Sequence, residues 1–133
     1  MKTTNELLQK IRTMKKNDIS LFADKDFSSP QIHFYLSDLL YEHGVSNMDF
    51  INKMNLERSY GYQILNGRRK PSRELLIKTS IFLHLNLDET QRLLKIGNRE
   101  ILYPRIKADA IAIFTIEKKL SLSEYQELMD NCQ

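Results

Sequence analysis

Between Arg58 and Arg73 the chain carries five positive charges, Arg58, Arg68, Arg69, Lys70 and Arg73, and no negative one. Such a run gathers hydrogen-bond donors for anions, phosphates above all. A second basic stretch lies in the first 17 residues, where Lys2, Lys10, Arg12, Lys15 and Lys16 outnumber Glu6. From Glu117 onward two lysines face four acids, so the charge is unevenly spread although the net is only +3. Catalysis finds less to work with. His33, His43 and His84 stand in separate segments, at spacings that make no HExxH or other ligand pair. Each is expected to be a cap, a partly buried polar group or plain surface. Cys132 has no neighbouring histidine to activate it and no second cysteine to pair with. No glycine-rich phosphate loop follows a strand. The expectation is a protein that is not an enzyme and holds no cofactor or metal.

Basic runs on helical proteins are usually solvated surface, so the run gains meaning only from the elements that present it. Four Gly and three Pro in 133 residues leave few of the tight turns that a β sandwich or barrel needs. The 3.6-residue period and the cap residues instead predict helices throughout. The first spans residues 4–16, with Leu7, Leu8, Ile11 and Met14 on one stripe, and DISLFADKDFSSP stops it. A second starts at Ser28 or Ser29, with Pro30 in its first turn and Gln31 at capping-box spacing from Ser28. It buries Ile32, Tyr35, Leu36, Leu39 and Leu40 and ends at Gly44. Ser46, with Asp49 three residues on, caps a short helix carrying Phe50, Ile51 and Met54. After a break at Asn55-Leu56, ERSYGYQILN forms its partner up to Gly67. Ser72 caps the next helix, with Leu75, Leu76, Thr79, Phe82 and Leu83 at helical spacing. Asn86 and Glu89 open another, carrying Leu87, Leu93 and Leu94 and closed by Gly97. Pro104 then starts a helix striped by Ile106, Ala110, Ile113 and Phe114, and Ser121 with Glu124 starts a last one bearing Tyr125, Leu128 and Met129. AIAIF could be a strand by its residues, but a lone strand would have no partner, so it is assigned to helix.

The expected architecture is therefore all-α: an N-terminal amphipathic helix and linker (1–27), a five-helix domain (28–97) and a two-helix extension (98–133) that either packs on the core or pairs two protomers. No apolar run approaches the 18 or more residues of a membrane span, and MKTTNELLQK lacks the apolar core of a secretory signal. A soluble, cytoplasmic protein without membrane contact is expected.

The stretch VSNMDFINKMNLERSYGYQILNGRRKPS, followed by ELLIKTSIFLHLNLDET, resembles the helix-turn-helix of lambda-repressor-like (Cro/C1 or XRE-type) DNA-binding domains. The resemblance runs from Ile32 to Ile96. It rests on the order of five helices, the short helix pair, Leu65-Asn66-Gly67, the basic residues running into Pro71 and the amphipathic helix after them. It implies a sequence-specific transcriptional regulator that binds double-stranded DNA, as a homodimer because one short helix reads only a half-site. In that reading the helix over 57–66 spans about 15 Å and lies in the major groove. Ile64 and Leu65 face the core. Arg58, Ser59, Tyr62 and Gln63 face outward toward base edges, Arg58 suited to guanine and Gln63 to adenine. The family's phosphate contact at the start of the preceding helix falls on Asn47, and Asn66, Arg68, Arg69 and Lys70 would grip the backbone.

Three residues depart from the family's pattern. Gly61 stands where a buried aliphatic is usual, at about 1 kcal/mol of helix propensity against Ala. Ile51 stands where a small residue is usual, and Asn55, which can adopt a left-handed backbone, replaces the glycine of the turn. A different helix–helix angle is expected. The alternative is a protein-interaction module that keeps the scaffold without base readout and docks a protein partner through its extra helices. Gly61 and the modest net charge favour it.

Overall fold

The computed structural model describes residues 3–16 and 31–132, and among them it contains eight helices and no strand. They belong to two compact units, Met1–Gln31 and Ile32–Gln133. None of the helices is long and apolar enough to cross a membrane.

In the first unit α1 (Thr4–Thr13) starts where Thr3 takes an extended backbone and its Oγ1 accepts the Glu6 N–H at 3.1 Å. It stops earlier than the sequence pattern suggests. Thr13 turns its hydroxyl back on the carbonyls of Gln9 and Lys10, and Met14 is extended, so Met14 lies just past the helix that its spacing had extended to Lys16. No residue of α1 is buried, and Leu8 and Ile11 stand about two-fifths exposed, at 41% and 42%. The linker and the helix start expected at Ser28, Ser29 and Pro30 lie outside the described residues.

The second unit runs α2 (Ile32–Glu42), α3 (Asn47–Lys53), α4 (Arg58–Leu65), α5 (Arg73–Phe82), α6 (Leu87–Ile96), α7 (Lys107–Glu117) and α8 (Leu122–Asn131). The caps follow from local chemistry. The hydroxyls of Ser46 and Ser72 accept the N–H three residues on, while Asn86 with Glu89 and Ser121 with Glu124 form reciprocal capping boxes. Each junction from α2 to α8 turns on one residue with positive φ: Gly44, Asn55, Gly67, His84, Asn98 and Lys119. The next residue's N–H then reaches back to a carbonyl of the last turn, as Leu56 does to Ile51 and Leu120 to Thr115. Gly97 is accordingly not the left-handed residue at the end of α6; Asn98 is. Gly97 is required for another reason, since a Cβ there would lie 2.5 Å from Leu76 Cδ1, where α5 and α6 pack together.

Leu36, Leu40, Phe50, Ile51, Ile64, Leu76, Ile81, Leu93 and Leu94 form the centre of the core, each contributing about 1.5–3 kcal/mol by burial. The last two helices pack against this core, α7 on α5 and α6, α8 on α5. The connection over 98–106 is stitched down by polar groups. Gln91 brackets Leu102, its amide donating to the carbonyl and its oxygen accepting the N–H, and Arg99 donates twice to the Pro71 carbonyl. Arg73 forms a bidentate pair with the buried Asp109, at 3.0 and 2.8 Å, and also donates to the carbonyls of Glu100 and Ile101. Burial raises the Asp109 pKa, but the Arg73 guanidinium and the Tyr103 N–H outweigh it and hold the carboxyl below its ordinary value. Two expectations are corrected here. Pro104 lies in a turn ahead of α7 rather than at its start, and Ile106 caps the helix without a side-chain bond. The stripe of Ile106, Ala110, Ile113 and Phe114 divides: Ile106 and Phe114 are half-exposed, Ala110 and Ile113 are partly buried with Ile113 packed against the core, and Asp109, Ala112, Thr115 and Ile116 make the buried face. Burying Asp109 against Arg73 selects that rotation of the helix.

Candidate nucleic-acid interface

The short pair α3 and α4 presents the residues singled out from the sequence. At eight residues α4 has just over two turns, and Gly61, Ile64 and Leu65 are its buried face. The remaining positions fall outward: Arg58, Ser59, Tyr60 and Tyr62 are exposed and Gln63 is half-buried. At 100° per residue, Ser59 and Gln63 stand one above the other at the centre of that face, with Tyr62 beside them and Arg58 at its edge in the first turn.

Gly61 is explained by its neighbour. A Cβ at this position would come within 2.6 Å of Ile51 Cγ1 and 2.9 Å of Ile51 Cδ1. The large residue on α3 and the missing side chain on α4 are thus one complementary fit, and the buried Ile51 fills the space that a side chain at Gly61 would take. Asn55 adopts the left-handed backbone, with φ 55°, in the turn between the two helices.

The end of α4 is closed by its own residues. Asn66 is the cap, and its Oδ1 accepts the Arg68 N–H at 3.1 Å. Gly67, at φ +87°, brings the chain against α2 so closely that a Cβ would meet the His33 ring at 2.8 Å. The Gln63 carbonyl accepts the N–H groups of both Arg68 and Arg69. Gln63 Oε1 also accepts from Arg69 Nε at 3.2 Å. Arg68, Arg69 and Lys70 are exposed, and Pro71 behind them is buried. Asn47 is exposed at the first position of α3, whose N-terminus Ser46 caps. Arg73, counted in the basic run, points away from it and is spent on Asp109.

One group at this surface was missed in the sequence. Glu57, placed inside the helix by its pattern, is the N-cap of α4, and its carboxylate accepts the N–H of Ser59 at 3.0 Å and of Tyr60 at 2.9 Å. Those two backbone bonds hold its pKa below the ordinary value, so it is a negative charge at the tip of α4 at neutral pH. Its residue type hid it, because Glu is outside the usual set of N-caps. His43 holds the end of α2, with Nδ1 2.8 Å from the Leu39 carbonyl, and His84 forms the turn before α6. No cluster of three or more His, Cys, Asp or Glu residues suited to a metal occurs among the described residues. No family model matches the chain, and neither a curated protein nor a solved structure shows significant similarity to it.

Proposed function

We propose that the chain is a sequence-specific DNA-binding regulator of the lambda-repressor-like kind, acting in the cytoplasm by binding rather than catalysis. The observation that carries this reading is the continuity of one exposed surface. A two-turn helix buries one side and offers Arg58, Ser59, Tyr62 and Gln63 on the other, and the exposed donors of Arg68, Arg69 and Lys70 follow it directly. Groove-facing side chains on a rigid helix read bases, while the adjoining cations meet phosphates. Asn47 at the start of α3 and the amide of Asn66 would add phosphate contacts. A helix this short reads a half-site, so the regulator would work as a homodimer.

Selection from a random duplex pool, with sequencing of what is retained, tests the reading. It predicts a retained site. Arg58→Ala should then cost about 1–3 kcal/mol on that site and relax one base pair, without changing affinity for scrambled duplexes. An unchanged ratio of specific to scrambled affinity would remove Arg58 from base reading. A second reading, a protein-docking module without base readout, is favoured by the Glu57 carboxylate at the tip of α4, where groove entry brings phosphates near. A pool from which no duplex is retained would support it.

A further inference from the structure

The bond between Arg69 and Gln63 changes what Gln63 can read. Arginine carries donors only, so the atom of the Gln63 carboxamide that faces Arg69 Nε must be its carbonyl oxygen, and the orientation of the amide follows from chemistry. The link is also fixed through the backbone, since the Arg69 N–H donates to the Gln63 carbonyl at 3.1 Å and keeps the two residues together across the turn. With the oxygen turned back toward the basic turn, the amide presents its NH₂ group outward. A glutamine that reads adenine needs both ends, accepting from N6 and donating to N7. A glutamine whose oxygen is already engaged by a cation, and whose NH₂ group therefore leads, suits the acceptor-only edge of guanine, N7 and O6, better than the edge of adenine.

We infer that Arg69 is a specificity-determining residue that acts by positioning Gln63, so that guanine is preferred to adenine at the base pair met by Gln63. This rests on the DNA-binding reading and deepens it. It also replaces the sequence-based assignment of Gln63 to adenine and of Arg69 to a phosphate alone. Arg69 keeps its terminal N–H groups for the backbone or the same guanine, whereas Arg68 meets Gln63 through its backbone N–H alone.

The test compares wild type, Arg69→Ala, Gln63→Ala and Arg68→Ala, each checked for cooperative thermal unfolding, by affinity against every single-base variant of the retained site at one salt concentration. Expected is a guanine preference at one base pair in the wild type. Gln63→Ala should erase it, Arg69→Ala should shift it severalfold toward adenine while the base pair met by Arg58 is unaffected, and Arg68→Ala should lower all sequences alike. Chemical shifts of the Arg69 Nε–H and the Gln63 amide in the free protein give an arm independent of DNA: Gln63→Ala should move the former and Arg69→Ala the latter. If Arg69→Ala weakens every sequence equally with the preference intact, the inference is overturned while the DNA reading stands. If the wild type retains no duplex, both fall together.

Discussion

A methyl group added at Gly61 would have to share space with Ile51, which is 1% exposed. Gly61→Ala gains about 1 kcal/mol of helix propensity, yet overpacking a filled core costs about 1–3 kcal/mol. The expected outcome is a net loss of stability in urea unfolding. Ile51→Ala alone should cost about 2–5 kcal/mol, and the double variant should be less destabilised than the sum of the two by about 1 kcal/mol or more. Additive effects would contradict the fit. The sequence displayed both residues as departures from a pattern but not their complementarity, because that depends on how closely two helices approach. Gln63 with Arg69 was hidden for a similar reason: the two join only once Gly67 reverses the chain between them.

At the scale of elements, what was legible is what is local. Ser46, Ser72, Asn86 and Ser121 reveal their helices because a cap bonds only three residues ahead. The turns at His84 and Lys119 were not legible, since lysine has no preference for a left-handed backbone and histidine, although enriched there, occurs far more often elsewhere. The facing of α7 was legible only in part, because the Arg73 that pairs with the buried Asp109 lies 36 residues away. Asp109→Asn should lower stability by about 1–3 kcal/mol, by weakening a charge-assisted pair whose guanidinium is one-third exposed and keeps the Glu100 and Ile101 carbonyls. The Asp109 carboxyl sits below its unfolded value, so its contribution is present above about pH 4 and is lost as pH falls through the folded value. Asp109→Asn should flatten that acid limb of the stability profile, and an unaltered limb would assign the acid sensitivity elsewhere. At the tip of α4, Glu57→Gln keeps one of the two oxygens that accept the Ser59 and Tyr60 N–H groups and removes a charge that would face phosphate in the proposed complex. Duplex affinity should rise for all sequences alike in a fluorescence titration, with a small loss of stability. A selective loss on the retained site would instead make Glu57 a base reader.

Across the whole molecule the net charge of +3 says little, and the placement of charge says more. Arg73 leaves the basic run to pair with the buried Asp109, Arg69 is shared with Gln63, and Arg68 and Lys70 remain as the unshared cations of the turn. The fold class was legible from composition and periodicity because an all-helical chain with few Gly and Pro has little else it can form. The placement of α7 and α8 was not, since apolar helices outside a core suit packing or pairing equally well; in the structure both pack on α5, and α7 also on α6. Whether the exposed turn after α4 meets a nucleic-acid backbone, as proposed, is read from the salt dependence of binding to the retained duplex. Two protomers, each neutralising two phosphates through Arg68 and Lys70, give a slope of log affinity against log salt near −4, and full use of Arg69 gives about −5. Replacing Arg68 and Lys70 by Ala should flatten the slope by several units. A slope near zero, or one that this double replacement leaves unchanged, would contradict the account.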